Sequence, residues 1–213
     1  MNKNYALILG ASSGFGKEIS LALAGDGVNI FGVHLDRATT MPDVEKLIED
    51  IKAKGVSVQF FNVNAADAVK RGEIIAQVKK TISEAGDDAS IKVMVHSLAF
   101  GTLKPLIADD PNEAANQKQI EMTLDVMGNS IVYWTQELIV NKLMKRGGKI
   151  YGMTSSGGSR QIEYYGIVSA AKACLESYIR QLAMELGHRG IAVNAIRAGV
   201  TDTPALRKIP NSQ

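Results

Sequence analysis

The chain has 213 residues, 46% of them hydrophobic and 22% charged, with a formal net charge of +2. That length supports one well-buried core and is short for two, and so small a charge gives no field for nucleic acid or an anionic membrane. No apolar run approaches the roughly 18 residues that span a bilayer. The first residues, MNKNYALILG, lack the long apolar core and small-residue cleavage site of a secretory signal. Cys174 is the single cysteine, so no intrachain disulfide or cysteine-based metal site can form, and a reducing cytoplasm is the expected compartment.

In chain order, six short apolar runs rich in β-branched residues read as strands: YALILG, VNIFGV, VSVQFF, IKVMVHS, GKIYGMTS and IAVNAIRAG. Helical patterns lie between them. DVEKLIEDIKAKG places Val44, Leu47, Ile48 and Ile51 at helical spacing, and IVYWTQELIVNKLMKRGG is a second such stretch. Strand–helix alternation predicts an α/β fold: a doubly wound parallel sheet with helices on both faces, in one domain spanning 1–213. Ligands in such sheets bind beyond the carboxyl ends of the strands.

The turn after the first strand, LGASSGFGKEIS, carries Gly10, Gly14 and Gly16 and opens a helix. Glycines there allow a tight turn, a close backbone approach to a pyrophosphate and close helix–strand packing, while the helix start offers free N–H groups to the phosphates. Ser12 and Ser13 add hydroxyl donors, and Phe15 completes the loop; the alternative is a glycine-rich turn with no ligand. The second strand ends in VHLDRATT, where an adenosine ribose is expected. His34 occupies the position eighteen residues past Gly16, where an NAD-selecting acid would stand. Asp36 and Arg37 follow it; a carboxylate there accepts from ribose hydroxyls and repels a 2′-phosphate, and an arginine attracts that phosphate. The balance favours NADP(H) anchored by Arg37, with NAD(H) the alternative and a solvated charge the bland reading. Asn62 and Val63, after the third strand, are placed against the adenine. His34, His96 and His188 show no ligand spacing, so no metal is expected.

With VHSLAFG, TSSGGS, Tyr165-x6-Lys172 and NAIRAGVTDT added to the glycine loop, the chain resembles the short-chain dehydrogenase/reductase family from Lys3 to about Pro210. Within it, the resemblance is to the enoyl-[acyl-carrier-protein] reductase branch, most of all to the NADPH-dependent third bacterial type. The wider family carries Asn-Asn-Ala-Gly after the fourth strand and Tyr-x3-Lys in the following helix. Here His96, Ser97, Leu98 and Ala99 stand in the first place, and Val168 is four residues before Lys172. Met127 stands where the family keeps a supporting asparagine.

The resemblance implies that Lys172 holds the nicotinamide ribose and favours the tyrosinate, and that Tyr165 donates to the substrate oxygen. It further implies that Ser155 positions substrate or caps the strand end. Ser97, Leu98 and Ala99 would line the cofactor through backbone groups, with Gly199, Val200 and Thr203 meeting its carboxamide or phosphates. A seven-residue step is nearly two helical turns, so Tyr165 and Lys172 are expected on one helix face. The implied substrate is a trans-2-enoyl thioester of acyl carrier protein or coenzyme A, steered by Arg160, Arg207 and Lys208, or else those charges are solvated. A homotetramer is implied too, as are a covering helix and a seventh strand that the sequence does not contain. The rival readings are reduction of a ketone such as a 3-oxoacyl thioester, and a non-catalytic NADP-binding regulator.

Overall fold

Six parallel strands run side by side in the computed structural model, which describes residues 3–210. They are β1 (Asn4–Leu9), β2 (Asn29–His34), β3 (Val58–Asn62), β4 (Ser90–His96), β5 (Lys149–Thr154) and β6 (Ala192–Arg197), in the order β3-β2-β1-β4-β5-β6. Chain progression reverses between β1 and β4, so the switch point lies at their carboxyl ends. Successive β1 side chains explain the two layers. Tyr5, Leu7 and Leu9 face one cluster and Ala6 and Ile8 the other, as a period of two requires. The larger cluster is closed by helices α3 (Ala68–Glu84), α5 (Ser130–Val140) and α6 (Gly166–Gly187), with Trp134 fully buried. The smaller is closed by α1 (Gly14–Gly25) and α2 (Met41–Lys52), the latter through Leu47 and Ile51. The doubly wound parallel sheet is therefore as expected.

Two helices differ from their sequence patterns. The stretch expected to be helical from Ile131 through Gly148 is helix only to Val140; Lys142 then takes a left-handed φ of 56° and turns the chain toward β5. On its other side the helix extends back through a π-helical turn, Asp125–Asn129, into α4 (Gln117–Leu124). Asn116 starts that run with a reciprocal capping box to Gln119. The π turn contains Val126 and Met127, and such turns mark functional positions in many helices.

β6 pairs only with β5, and most of its residues are exposed. It ends the sheet on that side among the described residues. None of the described helices is long and apolar enough to cross a membrane.

Candidate active site

The β1–α1 turn is built around two glycines. Gly10 has φ +85°, and a Cβ on it would collide with the Ser97 carbonyl at the end of β4. A Cβ on Gly16 would collide with the Gly10 carbonyl. These contacts close the turn on itself and on the neighbouring strand, so the start of α1 stands directly above the switch point. Gly14, with φ +51°, lines the cleft, and a Cβ on it would meet Thr203 Cγ2 at an ordinary contact of 3.5 Å. Ser13 precedes α1 in extended backbone and makes no capping bond with its side chain. The first-turn N–H groups of α1 and the Ser13 hydroxyl are thus presented to whatever lies above them.

What lies above them is a cleft of about 370 Å³ across the carboxyl ends of β1, β2 and β4. Gly10, Ser12, Ser13, Gly14 and Phe15 form one wall, Ser97, Leu98 and Ala99 another, and His34, Val63 and Thr203 are the other anticipated residues that line it. A negative group is fixed in this cleft. Asp36 accepts from Thr40 Oγ1 at 2.8 Å and lies 2.9 Å from Nδ1 of the buried His34, with 17% of its side chain exposed. Burial raises the Asp36 carboxyl, but hydrogen bonds from Ser12, Thr40 and His34 outweigh it and hold the group below its ordinary value.

Five anticipated cofactor contacts stand elsewhere. Arg37 is exposed and does not line the cleft, because the turn after β2 aims Asp36 inward instead. Asn62 spends its amide on that turn, accepting from the Asp36 N–H at 2.9 Å and donating to the Asp36 carbonyl at 3.0 Å. Its neighbours Val63, Asn64 and Ala65 reach the cleft in its place. Gly16 lies beneath the turn as a packing residue. Gly199 and Val200 are exposed beyond β6 and outside the cleft wall. Conversely, the sequence reading left out Thr40, Asp43 and Asn64, and it put Lys208 at the substrate mouth, whereas Lys208 lines this cleft. Arg207 is engaged by both carboxylate oxygens of Asp202 at 2.7 Å.

At the edge of the cleft, Lys172 rises from the first turns of α6. It is 6% exposed and donates to the Met153 carbonyl at 2.8 Å and the Leu98 carbonyl at 3.4 Å, tying the ends of β5 and β4 together. Leu98 is itself a cleft wall. Burial pushes the Lys172 ammonium down to about 8, with Glu176 partly opposing that shift. Tyr165 is 8% exposed, and its hydroxyl lies 3.3 Å from Ser155 Oγ. Gly157 makes room for the Tyr165 ring, which a Cβ at that position would strike.

Tyr165 and Lys172 both reach the end of β5, the one at Ser155 and the other at the Met153 carbonyl. Tyr165 precedes α6, with φ −95° and ψ 0°, so the turn before the helix sets its position. Val168, four residues before Lys172, is buried in an apolar nest: a Cβ on Gly101 would sit 2.9 Å from both its Cγ2 and Met127 Sδ. Met127, 2% exposed, packs into the same nest. His96, fully buried at the end of β4, pairs through Nε2 with Ser130 Oγ at 2.9 Å, and Ser130 donates to the Val126 carbonyl at 2.7 Å. Burial, then the Lys172 charge, lowers His96 to about 3, so it is neutral and links β4 to the π turn. No cluster of three or more His, Cys, Asp or Glu side chains suited to a metal occurs among the described residues.

Residues 10–213 match the family model described as enoyl-(acyl carrier protein) reductase. The 3-oxoacyl-[acyl-carrier-protein] reductase FabG of Staphylococcus epidermidis is 30% identical over 93% of this chain and 75% of its own length. The 1-cyclohexenylcarbonyl-CoA reductase of Streptomyces collinus is 26% identical over 96% of this chain and 67% of its own. Among solved structures, a short-chain dehydrogenase from Burkholderia cenocepacia in complex with NADP superposes with a TM-score of 0.79 at 23% identity, covering 96% of this chain and 77% of that one. A glycine-walled cleft at the switch point, a buried lysine at its edge and these likenesses agree: the chain belongs to the short-chain dehydrogenase/reductase family.

Proposed function

We propose that this oxidoreductase reduces the 2,3 double bond of an enoyl thioester, carried on acyl carrier protein or coenzyme A, with a nicotinamide dinucleotide as hydride source. One observation carries the reading. Among the described residues the phenol that meets Ser155 at the end of β5 is Tyr165, seven residues before Lys172, while the residue four before Lys172 is the buried Val168, which has no proton to donate. Hydride addition at Cβ of a conjugated thioester develops charge on an oxygen three bonds away, so the proton donor must stand further off than for a simple ketone. Placing the tyrosine before the helix supplies that displacement. In this reading Tyr165 donates to the thioester oxygen as it gains charge. Ser155 orients the phenol, and Lys172 holds the cofactor ribose.

A second reading, reduction of a 3-oxoacyl thioester, is favoured by the 30% identity to reductases of that name. An assay of NADH and NADPH oxidation with crotonyl and acetoacetyl thioesters side by side separates the two. Faster turnover of the crotonyl substrate is expected. Turnover of acetoacetyl thioester alone would reverse the assignment, and tight dinucleotide binding with no oxidation would make the chain a regulator.

The site residues fit a dinucleotide, and Asp36 bears on which one. A carboxylate held in the cleft beside Ser12 and Thr40 accepts from ribose hydroxyls and opposes a 2′-phosphate, while Arg37 stands outside. This supports NADH as the preferred cofactor over the NADPH expected from Arg37. Asp36→Ala is expected to move the NADPH/NADH preference toward NADPH by about tenfold, the worth of one repulsive contact of about 1.4 kcal/mol. Ratios of kcat/KM for the two cofactors check it, and an unchanged ratio would show that Asp36 does not read the ribose.

A further inference from the structure

Two described non-glycine residues have positive φ, and they differ in kind. Lys142, at 56°, follows the last turn of α5, where a left-handed residue commonly ends a helix. Tyr164, at 61°, comes two residues before α6 begins, where no such ending is needed. The Tyr165 N–H donates to the Ile162 carbonyl at 3.1 Å, closing a four-residue turn from Ile162 to Tyr165. Glu163 keeps negative φ and Tyr164 takes positive φ, the pattern of a type II turn, whose third position favours glycine because a Cβ there is strained. A tyrosine occupies it instead. The residue is 38% exposed, so it is not held there by full burial in the core.

The strained residue abuts the proposed proton donor. Tyr165 lies outside the helix, and its carbonyl already receives the Ser169 N–H at 2.8 Å, so its C-terminal side is locked to α6. Its N-terminal side is fixed only by the turn. The direction in which Tyr164 delivers the chain therefore decides whether the Tyr165 hydroxyl meets Ser155. The mouth around it is tightly built: Leu106 from the β4–α4 loop packs over Gly166, and Gly157 lies under the Tyr165 ring. A Tyr165 backbone delivered from a right-handed or extended residue 164 would have to displace one of them.

We infer that Tyr164 is a positioning residue: its left-handed backbone conformation aims the Tyr165 hydroxyl at Ser155 and thus at the substrate oxygen. The inference rests on Tyr165 as donor, and the experiment keeps the two apart. Four variants graded by tolerance of left-handed backbone are compared: Tyr164→Gly, Tyr164→Asn, Tyr164→Ala and Tyr164→Val. Turnover is expected to follow that order rather than size or hydrophobicity. Tyr164→Gly and Tyr164→Asn should retain kcat with crotonyl thioester. Tyr164→Val should lose about 10²-fold, the effect of roughly 1 Å of misplacement, with the dinucleotide dissociation constant unchanged in all four. Relief of strain should raise the Tm of Tyr164→Gly by about 2 °C. A merely structural turn would lower stability and cofactor affinity along with kcat. Crystal structures give a readout independent of turnover, with the Tyr165 hydroxyl beside Ser155 in Tyr164→Gly and displaced by about 1 Å in Tyr164→Val. Equal kcat in Tyr164→Gly and Tyr164→Val, equal loss in both, or an unmoved hydroxyl overturns the inference. Full turnover in Tyr165→Phe removes the donor reading and this inference with it, whereas an inactive Tyr165→Phe beside four equally active Tyr164 variants removes this inference alone.

Discussion

Replacing Tyr165 with phenylalanine is expected to cut turnover of an enoyl thioester by about 10²–10⁴-fold, the usual worth of a positioned general acid. The loss should fall on kcat. In the proposed arrangement the dinucleotide is held by Lys172 and the glycine loop and not by the phenol, so its dissociation constant should be unaltered. The fold should tolerate the change. The ring stays packed over Gly157, and the one hydrogen bond given up, to Ser155 at 3.3 Å, is long. A variant with wild-type melting temperature and wild-type cofactor binding, but little oxidation, would isolate the proton. Unimpaired turnover would leave Ser155 or solvent as the donor and would weaken the distinction drawn from the seven-residue spacing. Primary isotope effects with deuterated cofactor add a second check. If protonation is lost while hydride addition stays possible, the isotope effect should change along with the rate.

Much of this site was legible before any coordinates. The glycine turn could be read because its requirement is steric and local. Gly10 and Gly16 are places where a Cβ meets backbone, and a short motif records that. The sheet could be read because a strand–helix alternation has few topological solutions. Which side chain meets the cleft after the second strand was not legible, for an equally physical reason. Consecutive residues in a turn point in different directions, and a sequence that offers Asp36 beside Arg37 does not say which of them looks inward. The answer comes from partners distant in sequence, since Asn62 clamps the turn from the next strand. Lys208 was assigned to the substrate mouth because its approach to the cleft depends on the path of the chain after β6. Tyr165 was placed on a helix that starts one residue later. The pattern of hydrophobic positions carries through that boundary, and a tyrosine in a left-handed slot just upstream gives no sequence signal, since glycine is the residue that would announce it. The π turn likewise leaves no mark in a composition that reads as continuous helix.

The second large effect is expected at Lys172, where function and stability should separate. Lys172→Met is expected to lower turnover by about 10²-fold or more through loss of cofactor positioning. Its effect on stability should reverse sign with pH. In the unfolded chain this amine titrates at its ordinary 10.5, and in the fold burial brings it down to about 8. Between those values the unfolded chain binds the extra proton, so wild-type stability rises with pH across the window from about 8 to 10.5. The gain is about 3 kcal/mol from end to end. Below pH 8 the ammonium is charged in both states, and the fold bears the full cost of burying it. A methionine of similar reach removes that cost but also the bonds to the Leu98 and Met153 carbonyls, worth about 1 kcal/mol each. At pH 7 the variant should therefore be about 1 kcal/mol more stable than wild type, and above pH 10.5 about 2 kcal/mol less stable. Other lysines and tyrosines titrate in the same range, but they are common to both proteins and cancel in the difference. Urea unfolding of the pair at several pH values between 7 and 10.5 measures it. Parallel curves would show that Lys172 titrates alike in both states and that its burial leaves its proton affinity untouched. Crossing curves with turnover lost would identify an ammonium kept in the interior at a cost to the fold and needed for turnover.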